Sequence, residues 1–460
     1  MRKSLIAAAI LLCLSIALLP AGTAIVSANE ENVQMQQITS YGDESALKDV
    51  VVSMSVASGK HLYWNTDFYP RDPEKTNTTF DFSISNRENA EEGDLHLSMD
   101  CPISFGSSTT ANAGFNFSAT DDIPLKKVVV DVASRTAADS VHRETVRLAD
   151  YYEYLPLEMH FAGGIVFEDA EEVDALSSFF RVRTPDALRI TLEITKNALG
   201  GVTDIECSTT EDTAPQLSSN LSAMVGNILY LSPPCWPGAR ADDYASMPDG
   251  FGIYRLSLEV QDATSDRTVY YPMADSLEIV YPLNADEVFP LALQVSEDQH
   301  SLLFFYKQED RLMLTVLDLD SMEPTQTLEC LTGVDDPYVW QIYEGENFLL
   351  IALGSGDGLL LSKDESGTYS FAFALDSEHF QDIYFGQGNA AFCFDGKRLF
   401  GSCFESIGNR RCELYLCVLD QNGLICESEY RNSLEIAETN DYTLICKPAG
   451  AKPLRITPVE

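Results

Sequence analysis

Short apolar runs, alternating or continuous, punctuated by Gly, Asp, Asn and Ser, dominate this chain, and their spacing is most regular after residue 288. There the sequence reads FPLALQV, LLFFYKQ, RLMLTVLDLD and TQTLECL, four strand-length segments separated by polar turns. A similar series begins again near Tyr338 and near Phe380, so successive starts from Phe289 are 49 and 42 residues apart. One four-stranded propeller blade takes about 40–50 residues. The pattern therefore predicts four-stranded antiparallel units in series.

Earlier segments repeat the theme less regularly. From Lys48 to about Thr145 the runs VVVSMSVAS, HLYWNTDFY, TFDFSIS, DLHLSM, FNFSAT and LKKVVVDVAS all read as strands, with no sustained helical period. Between Tyr154 and Ser208, LPLEMHF, FFRVRT, LRITLEIT and VTDIECS read as one further four-strand unit, with EEVDALSSFF as a short helix or turn inside it. Counting such units predicts an all-β fold: a β-propeller of seven or eight four-stranded blades over residues 46–460. The final runs, DYTLICKP and LRITPVE, are too short for a whole blade. An N-terminal strand is expected to complete it, closing the ring and protecting its edges. The alternative partition is a β-sandwich over 46–150 followed by a smaller propeller over 151–460.

The first 28 residues follow a different logic. Arg2 and Lys3 precede an apolar stretch from Leu5 to Leu19, and Pro20 and Gly22 are expected to end any helix before Val26-Ser27-Ala28. This is the layout of a secretory signal, with small residues at the cleavage point. Its apolar core is shorter than the roughly 20 residues that span a bilayer. The mature chain is expected to start near Asn29, to be secreted or to lie on the exterior of the cell envelope, and to insert in no membrane. Residues 29–45 read as a flexible N-terminus.

Charge narrows the partners. The formal net charge is −41, and −43 for residues 29–460, because the leader carries two basic residues and no acidic one. Phosphate binding needs clustered Lys and Arg, so nucleic acid is excluded as a main partner. Ten cysteines follow the leader, five of them between Cys393 and Cys426. Cys417 and Cys426 flank the Asp420-Gln421-Asn422-Gly423 turn, and Cys403 and Cys412 flank FESIGNRR. Each pair is expected either to staple a hairpin or to remain as buried thiols. No CxxC, HxxxH or HExxH spacing occurs, so no transition-metal site is expected. Neither a phosphate-binding Gly loop nor a Rossmann fingerprint is present, and no cofactor is expected.

One long insertion stands out. Residues 233–251, PPCWPGARADDYASMPDGF, carry four prolines that cannot donate to a ladder. Loops longer than about 15 residues in a compact domain tend to be functional or disordered. Trp236, Arg240, Asp242, Asp243 and Tyr244 are the candidate binding residues, the aromatics offering a platform for a sugar or peptide. The other reading is that Trp236 fills a gap between blades.

Two short segments bear a family resemblance. Ser362-Lys363-Asp364-Glu365-Ser366-Gly367-Thr368-Tyr369 resembles the Asp-box of sialidase-type propellers, with one residue inserted before the Gly and Tyr369 in place of Trp. That resemblance implies a folding device, in which the Asp caps turn amides and the aromatic packs between blades. Ile253-Tyr254-Arg255-Leu256 looks like the arginine-bearing strand of sialidases, where the guanidinium grips a carboxylate. As a whole the chain resembles secreted bacterial-type β-propeller repeat proteins. With no complete catalytic set legible, the expected function is a non-catalytic exported protein holding a protein or glycan partner on propeller loops; the alternative is a sialidase-like propeller glycosidase.

Overall fold

The computed structural model describes residues 18, 20–25, 27, 28, 30, 33–48, 50–58, 62–81, 96–100, 109–112, 126–156, 158–162, 176, 179–184, 186, 188–209, 221–235, 240–245, 247, 250–262, 268–333, 338–377, 390–407, 411–432 and 455–458. Residues 20–25 are helical and Ala28 N donates to Ala24 O at 3.1 Å. Pro20 and Gly22 are thus themselves helical and do not stop the helix there.

The remaining elements are almost all strands. The first four are β1 (Met35–Gly42), β2 (Val50–Ser58), β3 (Leu62–Phe68) and β4 (Asn77–Asp81). Next come β5 (His96–Asp100), β6 (Thr109–Asn112), helix α1 (Lys126–Arg135), β7 (Ser140–Arg147), β8 (Tyr154–Pro156), β9 (Glu158–Ala162), β10 (Arg181–Arg183), β11 (Arg189–Lys196) and β12 (Val202–Thr209). They are followed by β13 (Ser222–Val225), β14 (Ile228–Leu231), β15 (Gly252–Asp262), β16 (Thr268–Pro272), β17 (Glu278–Pro282), β18 (Phe289–Val295), β19 (Ser301–Gln308), β20 (Arg311–Asp318) and β21 (Pro324–Thr332). The last are β22 (Val339–Gly345), β23 (Phe348–Leu353), β24 (Gly358–Lys363), β25 (Tyr369–Leu375), β26 (Ala390–Phe394), β27 (Leu399–Ile407), β28 (Arg411–Asp420), β29 (Gly423–Asn432) and β30 (Arg455–Pro458).

The chain divides into two compact units, Met1–Glu91 with Trp340–Glu460, and Glu92–Val339. In the first unit, β22 to β25 form a four-stranded meander, and β26 to β29 form another with β1 added beside β29. The third sheet runs β30-β2-β3-β4, so C- and N-terminal strands share it, with Val52 opposite Ile456. Residues 29–45, expected to be flexible, thus include a paired strand.

In the second unit, β18 to β21 form a four-stranded meander as the spacing requires. Leu302–Tyr306 and Leu312–Leu317 are buried residue after residue. Inner strands covered on both faces read as continuous apolar runs. The 154–208 segment departs from expectation: β8 pairs with β10, β9 with β5, and β11 and β12 join β7 and β6. It is therefore not one blade, because its outer partners come from residues 96–147.

LKKVVVDVAS is also corrected, from strand to helix α1. Three valines in a row favour a strand locally. Packing decides otherwise: Val128, Val129 and Val132 sink into a core with Ile190, Leu192 and Ile194 of β11, while Val130 stays 52% exposed. The Arg135–Asp131 pair at 2.6 Å ties successive helical turns. FNFSAT and DYTLICKP lie outside the described residues.

Candidate functional site

The 233–251 loop leaves the sheet after β14 and returns at β15. At its centre, residues 241–244 make one 3-10 turn, entered by reciprocal bonds: Arg240 N donates to Asp243 Oδ2 at 2.9 Å, and Asp243 N to Arg240 O at 2.9 Å. The Asp243 carboxylate thereby satisfies an amide that starts the turn. Asp286, 45 residues on, accepts from Ala241 N at 3.0 Å. Nothing local in the sequence signals that bond.

Tyr244 is 1% exposed. Its hydroxyl donates to Pro234 O at 3.0 Å, and its ring lies 4.5 Å from that of Phe251. Burial, aided by the neighbouring Cys235 thiol, pushes its phenol well above the ordinary range. Tyr244 is thus a core anchor and offers no surface platform, since a phenol both desolvated and hydrogen-bonded has no free face. Cys235 and Met247 are buried in the same core. Arg240 and Asp242 are exposed and Asp243 is half-buried. Trp236 lies outside the described residues. The structure therefore places two of the five candidates, Arg240 and Asp242, on an exposed crest whose footing is fixed by Tyr244, Asp243 and Asp286.

Arg255 has a partner within its own sheet. Its Nε donates to Glu278 Oε1 at 3.0 Å across β15 and β17, where the two residues are register partners. That hydrogen bond raises the guanidinium pKa above its ordinary value. Next to it in sequence, Tyr254 is fully buried against Phe179 and Phe180, at 5.7 and 5.1 Å. The carboxylate that Arg255 grips belongs to the protein itself.

At the Asp-box-like segment, Asp364 Oδ1 accepts from Ser366 N at 2.9 Å, Thr368 N at 3.0 Å and Ser366 Oγ at 2.6 Å. Gly367 takes a φ of +81°, which favours glycine. The Ser366 hydroxyl bond, with the backbone amides, holds the Asp364 carboxyl below its usual range. Tyr369 follows, 2% exposed. Other strand turns use the same chemistry: Asp318 accepts from Ser321 N at 2.8 Å, and Asp420 from Asn422 N at 2.7 Å. Side-chain acceptors in turns compete for local amides in this way.

Of the two readings of the pair at 417 and 426, hairpin staple or buried thiols, the register favours buried thiols. Cys417 stands opposite Glu427, and Cys426 opposite Val418. Neighbouring positions on a strand face opposite sides of the sheet. Cys417 accordingly packs with Leu419, and Cys426 with Leu416 and Val418, in two different cores. Both are buried thiols. Cys403 stands opposite Tyr415, while Cys412 stands opposite Ser406, so the second pair is also out of register.

No family model matches the chain, and no curated protein matches it. Among solved structures it is similar to a candidate 6-phosphogluconolactonase from Bacteroides uniformis, at 12% identity over 83% of this chain and 82% of that one, with a TM-score of 0.25. It is similar also to the Dos1 propeller, at 16% identity over 45% and 50% of the two chains and a TM-score of 0.24. A third is the Cps50 (Swd1) β-propeller domain of Myceliophteria thermophila, at 9% identity over 51% and 80%, with a TM-score of 0.22. Scores this low leave the fold to be read from the sheets themselves: all-β, with antiparallel sheets of four strands recurring along the chain.

Proposed function

We propose that this chain is an exported, non-catalytic binding protein of β-propeller architecture that holds a protein or glycan partner on the 233–251 loop. One observation carries the reading: the loop is braced from below by Tyr244–Pro234 and Ala241–Asp286, and it presents Arg240 and Asp242 to solvent. A segment braced by such bonds loses less entropy when it binds. Its two exposed charges have opposite sign and suit hydrogen bonds to a polar ligand. Export is supported by the leader sequence, and the propeller by the serial four-stranded meanders.

The test is to screen residues 29–460 on an array of neutral and acidic oligosaccharides and on immobilised extracellular proteins, beside an Arg240→Ala/Asp242→Ala variant. A ligand retained by the parent and weakened at least tenfold in the variant is expected. Equal retention by both would overturn the assignment to this loop. Turnover of a fluorogenic sialoside by the parent chain would replace the reading with the glycosidase.

A further inference from the structure

Strand β1 is held to its sheet almost wholly through its backbone. Seven register pairs join it to β29, from Met35 opposite Asn432 to Gly42 opposite Cys426, with an irregularity between Gln37 and Thr39. Of its eight residues only Met35 is partly covered; the others, Ile38 and Tyr41 included, are exposed. Little apolar surface on the strand itself resists its release, and segments with few buried contacts open at the lowest free energy; the anchors ahead of it, buried Val33 and Glu30 Oε1, which accepts from Phe80 N at 2.9 Å, must let go with it.

The chain behind β1 is fastened separately. Asp43 N donates to Ile425 O at 2.9 Å, Asp43 Oδ1 accepts from Ser45 N at 3.0 Å, and Leu47 is fully buried. Between strand and clamp lies Gly42, with a φ of +81°, where a Cβ would fall 2.1 Å from Ile425 O. Rotation at this glycine would free β1 from the clamp once the bonds that Gln37 Nε2, at 2.9 Å, and Ser40 Oγ donate to Glu44 Oε1 are broken.

Release uncovers the backbone donors and acceptors of β29, and such an edge recruits another strand. The segment MQQITSYG carries no charge in a chain with 71 acidic and 30 basic residues. It can cross to another polyanionic molecule without bringing a carboxylate with it.

We propose that β1 is a detachable strand and that the β29 edge is a strand-acceptor site, filled in trans by the β1 segment of a second copy of this chain. Reciprocal exchange gives a closed two-fold dimer with the same ladder in both protomers. This inference is independent of the 233–251 loop.

The experiment uses residues 29–460 carrying Thr39→Cys and Glu429→Cys, register partners whose native side chains meet at 3.4 Å. Oxidation locks β1 in place and reduction frees it, and far-UV circular dichroism confirms one fold in both states. Sedimentation is read against protein and NaCl concentration, with a fluorescent peptide of residues 35–42 as the probe. The reduced form is expected to dimerise reversibly, more strongly as salt screens its strong net negative charge, and to bind the peptide. The oxidised form is expected to stay monomeric and to bind the peptide at least tenfold more weakly. Equal behaviour of the two forms overturns the proposal, as does a reduced form that stays monomeric and ignores the peptide.

Discussion

Lys363→Met isolates a carboxylate in the interior of the β22–β25 sheet. Lys363 Nζ lies 2.9 Å from Glu344 Oε1, and the two side chains are only 13% and 4% exposed. The Tyr369 hydroxyl donates to the same oxygen at 3.1 Å, and the ammonium sits 5.6 Å from the Tyr369 ring centroid. Removing one member of a buried pair costs about 3–5 kcal/mol, because the remaining charge keeps its desolvation penalty and loses its counter-ion. Lys363 retains some access to water, which places the expected loss near the lower end, about 3 kcal/mol. For a domain of this size that corresponds to a fall in Tm of roughly 6–12 °C. The double variant Lys363→Met/Glu344→Gln should recover most of the loss, since it buries no charge. Lys75→Met, which breaks a pair with Asp72 in which the lysine is 66% exposed, is the control and should change stability by less than about 0.5 kcal/mol. Urea unfolding followed by circular dichroism measures all three. A Lys363→Met loss below about 1 kcal/mol, or a double variant no better than the single one, would refute the reasoning.

Three further outcomes are expected. Val132→Ala should cost about 2 kcal/mol from two buried methyl groups, while Val130→Ala should stay within about 0.5 kcal/mol; equal losses in thermal melts would favour a strand over helix α1. The Asp364 carboxyl is held below its usual range by the Ser366 hydroxyl and by turn amides, so its stabilisation is complete above the unfolded value of about 3.9 and fades as pH falls through the folded one. The Tm gap between the parent and Asp364→Ala should accordingly be full at neutral pH and close in acid, whereas a gap independent of pH would contradict that origin. Burial pushes the Cys207 thiol up to about 11 and Cys330 up to about 12, and Cys417 is driven well above its ordinary value. These thiols should ignore a thiol reagent in the native protein and react in urea, and a non-reducing peptide map containing a 417–426 bridge would contradict the observed register.

Local chemistry and strand period determined much of this protein from the sequence alone. The runs from Phe289 to Leu375 became two four-stranded meanders, because turn residues and apolar runs act over a few positions. The turn at Asp364 follows the same rule, as its acceptor and its donors lie within four residues. Tertiary structure decided what depends on partners distant along the chain. Three consecutive valines favour a strand in isolation, yet Val128 and Val132 meet β11 only as a helix. Tyr244 resembles an exposed aromatic until Pro234 and Phe251 close around it. A single-residue register shift sends Cys417 and Cys426 to opposite faces, and no count of residues around a turn fixes that shift. The terminal strands pair with β2 and β29, across nearly the whole chain, because those sheets supply backbone donors and acceptors that local sequence does not reveal.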